Sequence, residues 1–217
     1  MEKNKKIIYS LSISLIVVLL IFGILYGWFR FRESLPPAQA AQLESITLNP
    51  QVDKAMAEGM FSKLWLDHVY LTRQVILSEF NKSPELEANV AALLQNQKDI
   101  AQAVDLYYPG SYQIVADLLT EHITVAKDIL DDLRDLRLLR LSPDINKWYR
   151  NADLIGEAMM KINENWHMTD HMHTHLRITE REAIYEWLGF NTLSKNIYEK
   201  KIKPQAEGMA TMMSSNL

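Results

Sequence analysis

Apolar residues are arranged in two different ways along the chain. Residues 7–29 form a run of 23 residues without a charged side chain, whereas from about residue 51 apolar residues recur at spacings of three and four. About 20 apolar residues suffice to cross a bilayer, and spacings of three and four are typical of helices with one apolar face. The pattern predicts an all-α protein in which an N-terminal single transmembrane helix precedes an antiparallel helical bundle of about five to six helices.

Prolines and capping residues predict where these elements begin and end. We assign four segments: a basic N-terminal flank at 1–6, a transmembrane anchor at 7–29, a linker at 30–48 and the bundle domain at 49–217. Within the bundle, the main helices are predicted at about 51–81, 84–107, 111–136, 143–162, 170–188 and 192–214.

Four local features refine these boundaries. The prolines in SLPPAQAAQ, residues 34–42, favour a short extended linker. Ser142 followed by Pro143 predicts a helix start, because the first helical turn leaves unpaired the N–H that proline lacks. Thr169 is a candidate cap for the fifth helix, and Pro204 should kink or shorten the last one.

The N-terminal run is either an anchor or a cleaved signal peptide. Ala38 and Ala40 resemble a signal-peptidase site, which would allow cleavage near Ala40. That site lies about ten residues beyond the apolar run, and the run is longer than the roughly 7–15 residues of a signal core. The uncleaved anchor is therefore favoured.

Basic residues on the two sides of the span predict its orientation. Three lysines precede it and two arginines follow it: Lys3, Lys5, Lys6, Arg30 and Arg32. Because the more basic flank stays in the cytoplasm, the N-terminus is predicted to be cytoplasmic. The bundle would then lie outside the cytoplasm, on a single-pass protein of the cell membrane.

Charge and cysteine content exclude several classes of protein. The whole chain has a net charge of -4, of which residues 1–33 carry +3, so residues 34–217 carry -7. An acidic domain lacks the clustered lysine and arginine that phosphate contacts need, so no nucleic acid is expected as a partner. The absence of cysteine excludes disulfides and thiolate metal sites. The expected partners are the lipid bilayer, through residues 7–29, and a protein partner or a second copy.

Three of the predicted helices each carry one histidine on the apolar stripe: His68, His122 and His175. Residues on these stripes face the core of the bundle. The three imidazoles are therefore expected to converge inside it.

Two interpretations of this convergence stay open. Imidazoles from three helices can hold zinc or copper, with Glu121, Asp153 or Glu182 adding a ligand or orienting a ring. Alternatively each histidine is buried and hydrogen bonded, with Arg73, Asn151 or Asp153 as the partner. We favour the hydrogen-bonded interpretation.

The segment ENWHMTDHMHTHLRITE, residues 164–180, contains four of the six histidines. In a helix that begins near Asp170, His171 and His175 share one face and His173 points the opposite way. We therefore expect His175 to turn inward and His171 to lie at the edge of the cluster as a weak peripheral metal ligand. His167 and His173 should face water.

Several motifs resemble a family of small all-helical bacterial proteins without an assigned activity. They are LWLDHVYLTR (64–73), LLQNQKDI (93–100), LLTEHI (118–123), KWYRNAD (147–153), NENW (163–166) and HTHLRITEREA (173–183). The family pattern falls on Trp65, His68, Arg73, Glu121, His122, Trp148, Tyr149, Asn151, Asp153 and His175. The resemblance implies an all-helical fold.

Some members of that family carry amino-acid kinase or glycosyltransferase labels. Both activities normally use α/β folds with glycine-rich loops, whereas this chain has seven scattered glycines, so we discount those labels. Pro204 and the histidines at 167, 171 and 173 depart from the family pattern.

The sequence thus predicts a membrane-anchored binding or interaction module outside the cytoplasm, with an unknown ligand. The alternative is a metal-binding protein of the same compartment that holds copper or zinc through histidines inside the bundle. A metal-dependent hydrolase or oxidase is a weaker possibility, because none of the common catalytic motifs occurs.

Overall fold

The computed structural model describes residues 33–217, so the predicted segments at 1–6 and 7–29 lie outside the described residues. The described part is helical throughout, which confirms the all-α class. Its helices are α1 (Pro37–Glu44), α2 (Ala57–Phe80), α3 (Leu86–Tyr107), α4 (Tyr112–Arg134), α5 (Leu138–Ile162), α6 (Met168–Trp187), α7 (Asn191–Ile197) and α8 (Lys203–Ser215). A short 3-10 turn, Lys54–Met56, precedes α2, and a π-helical turn, Tyr198–Ile202, joins α7 to α8. Between residues 33 and 217 no helix is both long and apolar enough to cross a membrane.

Helices α2 to α6 form an antiparallel bundle in chain order. Each packs against the next, α8 returns to pack against α2, and α1 packs against α5. Short turns between the helices enforce this arrangement, because they bring the following helix back along the preceding one. The predicted helical bundle is confirmed.

Aromatic side chains fill the end of the bundle where α5 turns into α6. The Phe61 ring lies 5.7 Å from the Tyr107 ring and 6.3 Å from the Trp166 ring. Trp166 is fully buried, and its indole N–H donates to the carbonyl oxygen of Met213 at 3.1 Å. This satisfied and buried indole ties the α5–α6 turn to α8.

Gly156 allows α5 and α6 to approach closely. A Cβ atom at this position would lie 2.3 Å from Thr169 Oγ1 and 2.6 Å from Thr169 Cα. Helix α6 begins at Met168 without a side-chain cap, and the Thr169 hydroxyl instead packs against α5, 3.7 Å from Met160 Sδ. The prediction that Thr169 caps the helix is wrong, because the contact with α5 takes its side chain inward.

The predicted start of the fourth main helix is also wrong. Helix α5 begins at Leu138, and Pro143 lies inside it. The residues before the proline are good helix formers, and Leu141 among them is buried. Pro143 cannot donate to the carbonyl of Leu139, and because Leu139 is 95% exposed, water can reach that carbonyl.

The extended geometry predicted for residues 34–42 is wrong. Pro37 is the first residue of α1, a position that suits proline. Leu35 and Leu43 are buried, and the Leu35 N–H donates to Glu157 at 2.7 Å. Residues 33–44 therefore pack on α5.

Pro204 is predicted to kink or shorten the last helix; the helical stretch is not shortened, but its type changes just before the proline. The last predicted helix, 192–214, is divided into α7 and α8 by the π-helical turn, and Pro204 is the second residue of α8. A π turn widens the helix locally and so accommodates the hydrogen bond that proline cannot donate.

Candidate functional site

His68, His122 and His175 meet inside the bundle, as the sequence predicts. They come from α2, α4 and α6, and all three are buried. The ring centres of His68 and His175 are 5.5 Å apart, and those of His122 and His175 are 6.2 Å apart. His175 is therefore the central member of this group, which we call the histidine cluster.

Side-chain amides set the protonation of two of these rings. Asn151 accepts from His122 Nδ1 at 3.0 Å through its Oδ1, while its Nδ2 donates to the Leu118 carbonyl at 3.0 Å. The second bond fixes the orientation of the amide, so the proton of His122 is on Nδ1 and its Nε2 carries a lone pair. In the same way, Gln97 Nε2 donates to His68 Nδ1 at 2.9 Å and to the Leu93 carbonyl at 3.3 Å.

The central ring has fewer partners. His175 Nδ1 is buried without a hydrogen-bond partner among the described residues. The Gln205 amide N–H donates to the His171 carbonyl at 3.1 Å, and the amide oxygen of Gln205 is also buried without a partner among the described residues. An unpaired polar atom in a core is uncommon and calls for an explanation.

Burial keeps the cluster neutral. Desolvation lowers the pKa of His122 to about 3 and that of His175 to about 4, and the bond to Asn151 offsets only part of the shift at His122. Burial also places the pKa of His68 well below its usual value, with a further lowering by the two neighbouring histidines. All three imidazoles are therefore uncharged at neutral pH.

Two tryptophan rings enclose the cluster. Trp148 lies 5.2 Å from the ring of His122, and Trp65 lies 5.8 Å from the ring of His68. Both are buried, and both belong to the motifs that resemble the bacterial family. They shield the imidazoles from solvent and so contribute to the desolvation.

The predicted carboxylate ligands do not join the cluster. Glu121 is 42% exposed, pairs with Lys147 at 3.3 Å, and approaches His122 only through Asn151, whose Nδ2 lies 3.4 Å from it. Asp153 accepts from His173 Nε2 at 2.7 Å and from the Glu33 N–H at 3.3 Å. Both carboxylates are occupied elsewhere in the fold.

The other histidines lie outside the cluster. His167 is exposed, as predicted, and His171 is half-buried beside Gln205. His173 was expected to face water but is half-buried, because the bond to Asp153 draws it onto α5. Within the described range, 33–217, no group of three or more His, Asp or Glu side chains has the geometry of a metal site.

A second polar group, the Arg73–Glu182 pair, lies beside α7. Arg73 forms an ion pair with the buried Glu182, donates to Ser194 Oγ at 3.2 Å and lies 5.1 Å from the centre of the Tyr198 ring. Burial raises the pKa of Glu182 to about 7, and Arg73 opposes that shift. Arg73 therefore pairs with Glu182 and not with a histidine of the cluster. This differs from the predictions that Arg73 bonds to a buried histidine and that Glu182 adds a ligand or orients a ring.

Sequence reasoning did not identify Gln97 and Gln205 as partners of the cluster. Gln97 is fully buried, and it lies on the same helical face as Leu93, Ile100 and Val104. A polar residue on an apolar stripe was therefore visible in the sequence. Gln205 had no comparable signal, because it follows Pro204 in a segment without a clear stripe.

No protein-family model matches the chain, and no curated protein or solved structure is significantly similar to it. The resemblance to small all-helical bacterial proteins therefore stays a prediction that rests on its motif residues.

Proposed function

We propose that the chain is a single-pass membrane protein whose bundle, outside the cytoplasm, acts as a binding or interaction module. The apolar span at 7–29 and its basic flank support the anchor and its orientation. The residues with the most versatile chemistry, those of the histidine cluster, are enclosed by other side chains. A substrate would reach them only if helices separated, so an interaction at the surface is favoured over catalysis.

The observation that carries the proposal is that four of the eight exposed large apolar side chains of the described residues, including the most exposed of them, lie at one end of the bundle. Leu136 and Leu139 lie at the α4–α5 turn, and Phe190 and Leu193 lie at the α6–α7 turn. Because α5 and α6 are antiparallel, the start of α5 and the end of α6 lie at the same end. We call these four residues the apolar end. Groups of exposed apolar residues commonly mark interaction sites.

The charges around the apolar end favour a second copy of the chain as its partner. The α4–α5 turn carries charges of both signs that pair within the chain: Arg137 binds Asp135 and Asp132, and Arg140 lies 3.9 Å from Asp132. A two-fold contact between identical surfaces places each residue opposite its counterpart's neighbours. A turn whose charges are balanced in this way does not repel its own copy, whereas a surface of one sign would.

Site-directed photo-crosslinking tests this proposal on the full-length chain in detergent. A photoreactive phenylalanine analogue at Leu139 should give a covalent dimer, and the same analogue at Glu164, exposed at the opposite end, should not. Leu139→Glu should shift the molecular mass measured by light scattering from dimer to monomer. A wild-type chain that is monomeric at all concentrations and does not crosslink would refute the proposal.

A further inference from the structure

Two imidazole nitrogens in the histidine cluster are free to bind a ligand. The bond from His122 Nδ1 to Asn151 leaves a lone pair on His122 Nε2. His175 Nδ1 is buried and has no hydrogen-bond partner within residues 33–217. No hydrogen bond among the described residues commits the proton of His175 to Nδ1, so the proton can lie on Nε2 and leave the lone pair on Nδ1.

We propose that His122 and His175 bind one Cu(I) ion between them. Copper accepts imidazole nitrogen as a ligand, and Cu(I) accepts two ligands on opposite sides of the ion. With a metal–nitrogen distance of about 2 Å and a ring centre about 1 Å behind each nitrogen, two such rings lie about 6 Å apart. The ring centres of His122 and His175 are 6.2 Å apart.

The charge of the site selects a monovalent ion. The two predicted carboxylate ligands are engaged away from the two rings, since Glu121 binds Lys147 and Asp153 binds His173. A buried ion without an anionic ligand is costly, and the cost rises steeply with its charge. A doubly charged ion would therefore be much less favourable here than a singly charged one.

The number of donors leads to the same choice. Zinc usually takes four ligands, three or four of them from the protein. The described part of the chain brings no three His, Asp or Glu side chains into such an arrangement. His68 adjoins His175, but its Nδ1 is occupied by Gln97. Two donors suit Cu(I). Of the two metals that the sequence predicts, copper and zinc, the number of donors therefore favours copper.

Asn151 is a positioning residue for this site. It holds the Nδ1 proton of His122 and thereby directs Nε2 to the metal, as outer partners of metal-bound histidines commonly do. Its own Nδ2 lies near Glu121 Oε2, at 3.4 Å, so the carboxylate acts on the ring through the amide. Glu121, His122 and Asn151 all belong to the motif residues.

The test is a titration of the full-length chain in detergent with Cu(I), under anaerobic and reducing conditions, against a chromogenic Cu(I) chelator. The wild-type chain should withhold one equivalent of copper. His122→Gln and His175→Gln should each weaken binding at least about tenfold. His167→Gln, which removes an exposed histidine outside the cluster, should leave it unchanged. Copper binding that survives the first two substitutions, or no binding by the wild type, would overturn the site.

X-ray absorption of the copper-loaded wild-type chain tests the geometry without any variant. Two nitrogen neighbours at about 2 Å are expected. Three or four ligands, or a sulfur neighbour, would refute the two-histidine site, and so would stoichiometric zinc binding in preference to Cu(I). The site goes beyond the proposed interaction function, because the apolar end and its crosslinking test involve neither histidine.

Discussion

Acidification should destabilise the bundle through its buried histidines. The pKa of His175 is lowered to about 4 and that of His122 to about 3, against 6.5 for an unperturbed histidine. Because both folded-state values lie below the unfolded one, the unfolded chain binds more protons below pH 6.5. The stabilisation is complete above pH 6.5 and is lost as the pH falls towards 4 for His175 and towards 3 for His122.

The size of the effect follows from these values. A histidine of the unfolded chain has a pKa about 1.5 units above pH 5. Its protonation therefore stabilises the unfolded state by about 2 kcal/mol at pH 5, or by about 4 kcal/mol for both histidines. His68, whose pKa is also lowered, adds to the loss. A domain has only about 5–15 kcal/mol of stability in total, so the change is a large part of it.

Glu182 acts in the opposite direction. Its folded-state pKa, about 7, lies above the 4.5 of a free glutamate. The stabilisation is therefore complete below pH 4.5 and is lost as the pH rises through 7. Going from pH 7 to pH 5 restores about 2 kcal/mol from Glu182, which offsets about one histidine. Glu182→Gln should remove this offset and make the bundle more sensitive to acid.

Urea unfolding of residues 33–217, followed by tryptophan fluorescence at pH 7 and pH 5, measures the effect. His175→Gln should lose about 2 kcal/mol less than the wild type on acidification, since one titrating group is gone. His167→Gln, which changes an exposed histidine, should lose as much as the wild type. If His175→Gln and wild type lost the same stability, the buried ring would not be the group that titrates, and the reasoning would fail.

Three further results are expected. Gly156→Ala should lower the free energy of unfolding by about 1–3 kcal/mol, because α5 and α6 are in contact there. Gly208→Ala, where the added methyl group meets open space, should instead stabilise α8 by about 0.5–1 kcal/mol. Equal effects of the two substitutions in denaturant melts would contradict the close packing at Gly156. The fragment 41–217 should melt at a lower temperature than 33–217, because it lacks the first half of α1 and the bond from Leu35 to Glu157 of α5; identical melting temperatures would show that this contact contributes nothing. In the chain without cysteine, Glu164→Cys should react with a membrane-impermeant maleimide in intact cells, and labelling only after lysis would refute the proposed orientation.

The sequence determined the helices and their inward faces. Spacings of three and four are set by local backbone geometry, so the helical class and the inward position of His68, His122 and His175 follow from the residues on the same helix. The change of helix type before Pro204 is equally local, since proline lacks an N–H whatever surrounds it.

Only the tertiary structure decided which side chains meet. Periodicity defines the face of a helix but not how far along the next helix a residue lies, so the sequence predicts Glu121 and Asp153 beside the histidines although they bond to Lys147 and His173. Likewise, Leu35 and Leu43 make 33–44 part of the bundle only because α5 offers a surface for them. Packing also explains why His175 Nδ1 has no partner among the described residues. The surrounding helices exclude the water that this nitrogen would otherwise bind.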